Sequence, residues 1–192
     1  SIKDDQGGIR AFDTGIANMA LNLVAHTEGK EYDSGGEMAK NGSIKTALLE
    51  QLNKLAYHQL PAPKSIGKEW FNAEVKPLID KSLKDYSSSD VLATLCEHIA
   101  IQIAAQISSS GKLLITGGGA KNIFLIQRIK KLCSAEVTLP SVELIDFKEA
   151  LIFAFLGTLH ATHQTNTLQA ATGSSCNHIG GCIYSPFIRK KN

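Results

Sequence analysis

Apolar residues recur along this chain with two different periods, and the change from one to the other predicts alternating strands and helices. Apolar residues three and four positions apart predict helices at residues 16–26, 44–60, 74–84, 90–108, 123–132 and 146–163. Short apolar runs bounded by turn residues predict strands at residues 9–14, 112–116, 136–139 and 179–184. The polar or glycine-rich segments are predicted to be loops, at residues 31–43, 65–72 and 164–177. This alternation predicts an α/β fold with a mixed or parallel sheet flanked by helices.

Three consecutive glycines, Gly117, Gly118 and Gly119, separate the predicted strand at 112–116 from the helix at 123–132. Glycines between a strand and a helix bring backbone N–H groups and a helix N-terminus to one point, where a phosphate, ribose or base can lie against the main chain. The segment matches neither a P-loop nor the G-x-G-x-x-G pattern of a Rossmann fold. It therefore predicts either a nucleotide-contacting loop of another kind or a tight turn without a ligand.

An acidic turn, Asp13-Thr14-Gly15, lies at the C-terminal end of the first predicted strand. In open α/β folds, ligands bind at the carboxyl ends of the strands. A carboxylate there holds Mg²⁺ through water, while a threonine hydroxyl and a glycine N–H contact phosphoryl oxygens. The alternative is an aspartate that ends the strand and caps the next helix.

A second acidic segment, Asp146-Phe147-Lys148-Glu149, is predicted to open the last long helix. Asp146 complements the helix dipole there. The apolar residues after Glu149 predict that the helix enters the core, so this carboxylate needs a partner such as a sugar hydroxyl. The neighbouring cysteines and histidines fit no standard zinc spacing, and we predict no metal site among Cys176, His178, Cys182, His160 and His163.

Composition narrows the classes of protein that the chain can represent. The 192 residues carry a formal net charge of +2 and 20% charged residues, which favours neither nucleic acid nor an anionic membrane as partner. No apolar stretch is long enough to cross a bilayer, and no signal peptide is visible. The four cysteines form no C-x-x-C pair, which predicts a reduced, cytoplasmic protein. The basic residues 189–191 are predicted to be a solvated end.

Five sequence blocks, in this order, resemble one family. They are DTGIAN at 13–18, SIGKEWFN at 65–72, GGGAKN at 117–122, DFKEALIFAF at 146–155 and ATG at 171–173. Together they resemble the C-terminal half of the anhydro-N-acetylmuramic acid kinases, and they cover nearly the whole chain. The order and spacing of five blocks are more specific than any one of them.

The resemblance implies a fold and a reaction. The fold is the actin/hexokinase-like (ribonuclease H-like) ATPase domain, and residues 1–192 are expected to be a single C-terminal, nucleotide-side lobe of a two-lobe sugar kinase. The family uses ATP and Mg²⁺ to open the anhydro bridge of 1,6-anhydro-N-acetylmuramic acid with water and to phosphorylate the sugar, which gives N-acetylmuramic acid 6-phosphate in cell-wall recycling. The resemblance to this family also implies that the protein forms a homodimer.

The resemblance also implies roles for residues of this chain. Nucleotide contacts are expected from two turns, at Asp13, Thr14, Gly15, Gly117, Gly118, Gly119, Ala120 and Asn122. The first three would form the second phosphate-binding turn, with Asp13 holding the metal through water. The glycines and Ala120 would lie against the adenosine, and Asn122 would face the cleft. Glu149 would contact the sugar, and Lys68 and Glu69 would border the nucleotide or brace the cleft.

The chain departs from the family pattern in two respects. Ile16-Ala17 stands where the family usually has Pro-Gly, and this changes how closely the turn approaches phosphate. The first phosphate loop and the aspartate that activates water belong to the family's N-terminal half, so no catalytic base is expected here. The chain alone is therefore expected to be inactive. Two alternatives stay open: a nucleotide- or sugar-binding module without catalysis, and a kinase of the same superfamily that acts on another small molecule.

Overall fold

A computed structural model of the protein describes residues 1–3, 8–107 and 111–184. The α-helices are α1 (Asn18–Thr27), α2 (Glu37–Lys40), α3 (Thr46–Asn53), α4 (Lys68–Trp70), α5 (Lys76–Asp85), α6 (Ser88–Ala104), α7 (Ile123–Leu132), α8 (Val142–Ala161) and α9 (Gln169–Thr172). The strands are β1 (Ile2–Lys3), β2 (Ile9–Arg10), β3 (Lys112–Leu114) and β4 (Glu136–Thr138). None of the helices described is both long and apolar enough to span a lipid bilayer.

The strands form two small sheets. β3 and β4 pair in parallel, with Leu113 opposite Val137, and α7 connects them as the crossover of a β-α-β unit. β1 and β2 pair antiparallel, with Ile2 opposite Arg10. The fold is thus α/β, with a small parallel sheet flanked by helices. Across the described parts of the chain the two pairs stay separate and do not join into the one sheet that the sequence predicts.

Helix α6 is the centre of the core. Every residue from 91 to 100 is buried, because the helix contacts α1, α2, α3 and α7. Its apolar residues are spread around most of the cylinder, and the sequence correctly predicts that such a helix is covered on several sides. Ser87 caps its N-terminus by accepting a hydrogen bond from the Asp90 N–H at 3.2 Å.

One ion pair joins α7, the helix of the β-α-β unit, to the central helix α6. Arg128 on α7 donates from Nε to Oε2 of Glu97 on α6 at 2.5 Å. The Glu97 side chain is 10% exposed and that of Arg128 is 20% exposed, so the pair is largely shielded from water. Because a carboxylate in such a place needs a cationic partner, the two residues hold α7 in register on α6.

Three predicted segments differ from the structure because local capping and tertiary contacts override the sequence pattern. The predicted loop at 31–43 contains the short helix α2, which is capped by a buried aspartate. The predicted loop at 65–72 already contains α4, which continues through a π-helical turn, Phe71–Val75, into α5. The predicted helix at 44–60 is divided into α3 and a 3-10 turn, Ala56–Gln59.

The strand predictions at both ends of the chain are only partly correct. The predicted strand at 9–14 pairs only over Ile9–Arg10. No strand occurs in the described part of 179–184, where the nearest pairing is an isolated bridge between Thr167 and His178. Residue 108, at the end of the helix predicted at 90–108, and the basic residues 189–191 lie outside the described residues.

Helix α8 begins earlier than the sequence predicts. Ser141 is its N-cap and accepts from the Leu144 N–H at 3.3 Å, so Asp146 and Glu149 lie inside the helix. The expectation that the residues after Glu149 enter the core is wrong. Phe153 is 71% exposed and Leu151 is 59% exposed, because no described element covers either of these two sides of α8.

Candidate functional site

The glycine loop turns the chain from β3 into α7. Gly117 has a φ of +81°, a conformation that side chains other than glycine rarely adopt. The residues that follow form a 3-10 turn, Gly118–Lys121, closed by a hydrogen bond from the Ala120 N–H to the Gly117 carbonyl at 2.9 Å. The glycine pattern therefore marks a real backbone requirement, as well as a surface without Cβ atoms.

Asn122 ends this loop and starts the helix. Its side chain Oδ1 accepts from the Leu125 N–H at 2.9 Å, which makes Asn122 the N-cap of α7. The residue is 8% exposed, and the small part that remains open borders a cavity. The structure thus gives Asn122 a capping role that the sequence prediction did not include.

A cavity of about 320 Å³ lies beside the glycine loop. Three segments form its walls: the start of α1, the turn before α2 and the glycine loop. Their residues at the cavity are Asn18, Leu21, Asn22, Tyr32, Asp33, Gly35, Gly118, Lys121 and Asn122. The volume is at the lower end of the range for small-ligand sites, about 300–1,000 Å³, and suits a group the size of a nucleoside.

Asn18 brings the segment after the acidic turn against the glycine loop. A Cβ placed on Gly118 would lie 3.5 Å from Asn18 Nδ2, and one on Gly119 would lie 3.5 Å from Asn18 Oδ1. The carboxamide therefore lies on the side of the loop that has no side chains. The structure therefore brings Asn18, the last residue of the block at 13–18, against the glycine loop, whereas Asp13, Thr14 and Gly15 are not among the residues that line this cavity.

Asp33 forms the wall opposite the glycine loop. It is buried, and its two carboxylate oxygens accept from the N–H groups of Met38 and Ala39, each at 2.9 Å. These bonds fix the turn that contains Tyr32 and Gly35 at the cavity. The sequence prediction missed this wall, because the segment is polar and glycine-rich and has no helical period.

The acidic turn is held from three directions. The Asp13 Oδ2 accepts from the Ile66 N–H at 2.8 Å, and its carbonyl accepts from the Tyr57 hydroxyl at 2.8 Å. The Asp13 N–H donates to the Lys64 carbonyl at 3.1 Å. Burial, and secondly the Asp13 charge, raises the pKa of Tyr57 to about 12, so its hydroxyl stays protonated and can donate. Asp13 itself is exposed and is placed where the sequence predicts it, beyond the end of β2.

The two residues after Gly15 stand where the family has Pro-Gly. Ile16 is 6% exposed and belongs to the hydrophobic core. Ala17 is the N-cap of α1 and has no side chain that caps the helix. A core residue therefore lies directly beside the acidic turn.

Two histidines, His58 and His98, lie beside the acidic turn. A Cβ on Gly15 would lie 3.4 Å from His58 Cε1, and the His58 and His98 ring centroids are 5.0 Å apart. His98 is fully buried, and its Nδ1 donates to Asn53 Oδ1 at 2.7 Å. Burial, and secondly the nearby His58, lowers the pKa of His98 to about 3. Burial likewise lowers the pKa of His58. No sequence signal pointed to this pair.

A larger groove of about 820 Å³ runs from the acidic turn past β3. Apolar residues such as Ile2, Ile107 and Leu113 form most of its lining, whereas Thr14, Thr116 and Lys148 give it a polar end. Lys148 extends from α8 toward the glycine loop, and its Nζ lies 3.7 Å from the place of a Cβ on Gly117. Thr14 of the acidic turn and Thr116, the residue before the glycines, therefore both border this groove.

The predicted sugar contact, Glu149, lies on α8 and is exposed. The same helix is tied to the glycine loop by an ion pair between Asp146 and Lys121. Lys68 and Glu69 lie exposed on α4, outside the lining of both cavities. Among the described residues, no group of three histidine, cysteine or acidic side chains is arranged to hold a metal ion.

The fold and this site define a class: an α/β protein in which a glycine loop between a strand and a helix borders a cavity together with the helix that follows an acidic turn. The sequence model of the anhydro-N-acetylmuramic acid kinase family matches residues 2–186. The chain belongs to the anhydro-N-acetylmuramic acid kinase family.

Curated relatives agree with this assignment. The anhydro-N-acetylmuramic acid kinase of Vibrio cholerae is 34% identical over 197 residues, which cover 97% of this chain and 52% of that protein. The enzyme of the same name from Saccharophagus degradans is 34% identical over 186 residues, covering 93% of this chain and 50% of the relative. The anhydro-N-acetylmuramic acid kinase of Vibrio parahaemolyticus is 34% identical over 197 residues, which cover 96% of this chain and 52% of that protein. The chain spans about half the length of these relatives.

Proposed function

We propose that this chain supplies the nucleotide side of an ATP-dependent kinase that converts 1,6-anhydro-N-acetylmuramic acid to N-acetylmuramic acid 6-phosphate in cell-wall recycling. In this proposal the chain is an actin/hexokinase-like ATPase domain that forms the C-terminal lobe of a two-lobe enzyme. The main support is the cavity at which Asn18, from the acidic-turn segment, meets Gly118 of the glycine loop. Relatives at 34% identity carry the name of this kinase.

In this proposal the adenosine occupies the cavity of about 320 Å³. Gly117, Gly118, Gly119 and Ala120 present backbone without large side chains, which allows a planar base or a ribose to approach closely. Asn122 stabilises that surface by capping α7, and its open edge faces the cavity. The phosphates would extend from here toward Thr14 and Gly15 in the neighbouring groove.

Asp13 is the residue proposed to hold Mg²⁺, through a water molecule. The donor set is suitable, because Mg²⁺ usually keeps several waters and needs only one or two carboxylates besides the substrate phosphates. Asp13 is exposed, and the Ile66 N–H fixes only its Oδ2. The ion would neutralise charge on the phosphates, while Thr14 and Gly15 orient them. We assign no catalytic base to residues 1–192.

Glu149 is the proposed sugar contact. It lies on α8, the helix that Asp146 and Lys121 tie to the glycine loop, so it has a fixed relation to the nucleotide cavity. An exposed carboxylate accepts hydrogen bonds from sugar hydroxyls when a second lobe closes over it. Phosphoryl transfer depends mainly on such positioning, so we expect the chain alone to show no turnover.

Binding and turnover test different parts of this proposal. Calorimetry with Mg²⁺·ADP should detect binding to the chain, and Gly118→Val, which places methyl groups at the cavity wall, should weaken the affinity by about tenfold or more. Gly157→Ala is the matched control, because a Cβ there has nothing within 4 Å. Equal affinity in both variants would argue against adenosine in this cavity.

A coupled assay of ADP release with the anhydro sugar then examines catalysis. The chain alone should be silent, and co-expression with the N-terminal half of a relative should restore release. Nucleotide binding without restored turnover would favour the alternative of a binding module without catalysis. Restored turnover with a different small molecule would favour another kinase of the same superfamily.

We also propose that the chain self-associates as a homodimer. The support is an exposed apolar face of α8, where Phe147 is 68%, Leu151 is 59% and Phe155 is 60% exposed at successive four-residue steps. Faces of this kind usually mark an association surface. Light scattering after size-exclusion chromatography should give twice the chain mass, and Phe155→Glu should return it to the monomer value.

A further inference from the structure

Lys148 lies at the junction between the glycine loop and the larger groove. Its Nζ is 3.7 Å from the place of a Cβ on Gly117, so the ammonium reaches the loop where the backbone is bare. The same groove is lined by Thr14 of the acidic turn and by Thr116, the residue before the glycines. One cationic and two hydroxyl side chains thus border the end of the groove next to the nucleoside-sized cavity.

The Thr116 hydroxyl has an unmet hydrogen-bonding capacity. Its Oγ1 is buried and has no hydrogen-bond partner within residues 1–3, 8–107 and 111–184. Buried polar groups in folded proteins are nearly always satisfied by protein, water or ligand. Because Thr116 faces a groove, a bound oxygen acceptor is a natural partner for this hydroxyl.

The charge of Lys148 is likewise not used within the described part of the chain. It forms no ion pair there, although the neighbouring cation Lys121 pairs with Asp146. An ammonium without a carboxylate partner at the edge of a cavity attracts an anion. Phosphate oxygens satisfy both the ammonium and a hydroxyl donor.

We propose that Lys148 and Thr116 form a phosphate subsite, in which the ammonium and the hydroxyl donate to oxygens of the nucleotide phosphate nearest the glycine loop. The identity of this phosphate as part of a nucleotide rests on the function proposed above. Lys148 acts as a point charge on the nucleotide and Thr116 as a neutral donor. The subsite joins the adenosine cavity to the acidic turn.

Calorimetry with Mg²⁺·ADP and with adenosine tests the subsite in the 192-residue chain. Lys148→Met keeps the length of the side chain and removes the charge, so ADP should bind about tenfold more weakly while adenosine binds as before. Thr116→Val should weaken ADP by a smaller factor. The matched control is Lys131→Met, on the exposed side of α7, which should change neither affinity. Circular dichroism should show that all variants are folded.

Tripolyphosphate provides a probe that does not depend on the nucleoside. The chain could bind tripolyphosphate but no adenosine, with tripolyphosphate binding abolished in Lys148→Met. That result would keep the subsite and reject the proposed function. An unchanged ratio of ADP to adenosine affinity in Lys148→Met would reject the subsite and keep the proposed function. A chain that binds neither ADP nor tripolyphosphate overturns both.

Discussion

A Cβ on Gly36 would lie 2.2 Å from Asn122 Oδ1, the oxygen that caps α7. It would also lie 2.7 Å from the Phe124 Cβ, so the turn before α2 and the start of α7 touch backbone to side chain. Gly36 has a φ of +76°, which adds a conformational requirement to the steric one. This contact closes one side of the cavity between the glycine loop and Asp33.

Replacing Gly36 by alanine should destabilise the protein by about 2–5 kcal/mol. About 1–2 kcal/mol comes from the left-handed backbone and about 1–3 kcal/mol from overpacking against Asn122. Urea denaturation followed by circular dichroism measures the loss. Gly29→Ala is the matched control, because Gly29 has a φ of +69° and an added Cβ would have nothing within 4 Å. Equal losses in the two variants would show that the contact with Asn122 is not tight.

Removing the charge of Arg128 should destabilise the contact between α6 and α7. Arg128→Met leaves Glu97 largely buried without a partner, and we expect a loss of about 2–4 kcal/mol. Adding Glu97→Leu should restore most of it, because two apolar side chains replace the ion pair. A control is Lys54→Met, whose partner Glu50 is 61% exposed, and it should lose less than about 1 kcal/mol. Similar losses in both single variants would mean that the Glu97 pair behaves as a surface pair.

The buried histidine predicts a loss of stability at mildly acidic pH. The pKa of His98 is lowered from 6.5 to about 3 in the folded protein, so the unfolded chain binds more protons between those values. Its contribution to stability is therefore fully present above about pH 6.5 and decreases as the pH falls toward 3. Between pH 7 and pH 5 this amounts to about 2 kcal/mol. The lowered pKa of His58 acts in the same direction.

Urea denaturation at pH 7 and pH 5 measures this effect in the His98→Asn variant. Asparagine keeps a donor toward Asn53 but does not titrate, so the variant should be less stable at pH 7 and lose about 2 kcal/mol less on acidification. The exposed His26 serves as control, and His26→Gln should keep the pH dependence of the unchanged protein. If His98→Asn lost as much stability between pH 7 and pH 5 as the unchanged protein, the effect would belong to other titrating groups.

The sequence predicts the helices whose apolar faces repeat every three or four residues, because α6 and α7 bury those faces. It also locates the loop at Gly117, since only glycine suits the backbone there. Local pattern could not give contacts that depend on distant segments. Lys148 meets Gly117 only because α8 contacts the glycine loop. His98 has the sequence pattern of one more residue of a buried helix. The apolar run of α8 suggested a core helix, yet no described element covers it.

Asp33 should be the most sensitive acidic residue of the cavity wall, because both of its oxygens accept from backbone N–H groups of α2. Asp33→Asn puts an NH₂ group against one of those donors, which should cost about 1–3 kcal/mol in urea denaturation. The wall would lose its anchor, so Mg²⁺·ADP affinity should fall together with stability. Asp80→Asn, which breaks only an exposed pair with Lys76, is the control and should stay within about 1 kcal/mol. If the two variants lost equal stability, the hydrogen bonds from Met38 and Ala39 would not anchor the wall, and another contact would have to hold the cavity open.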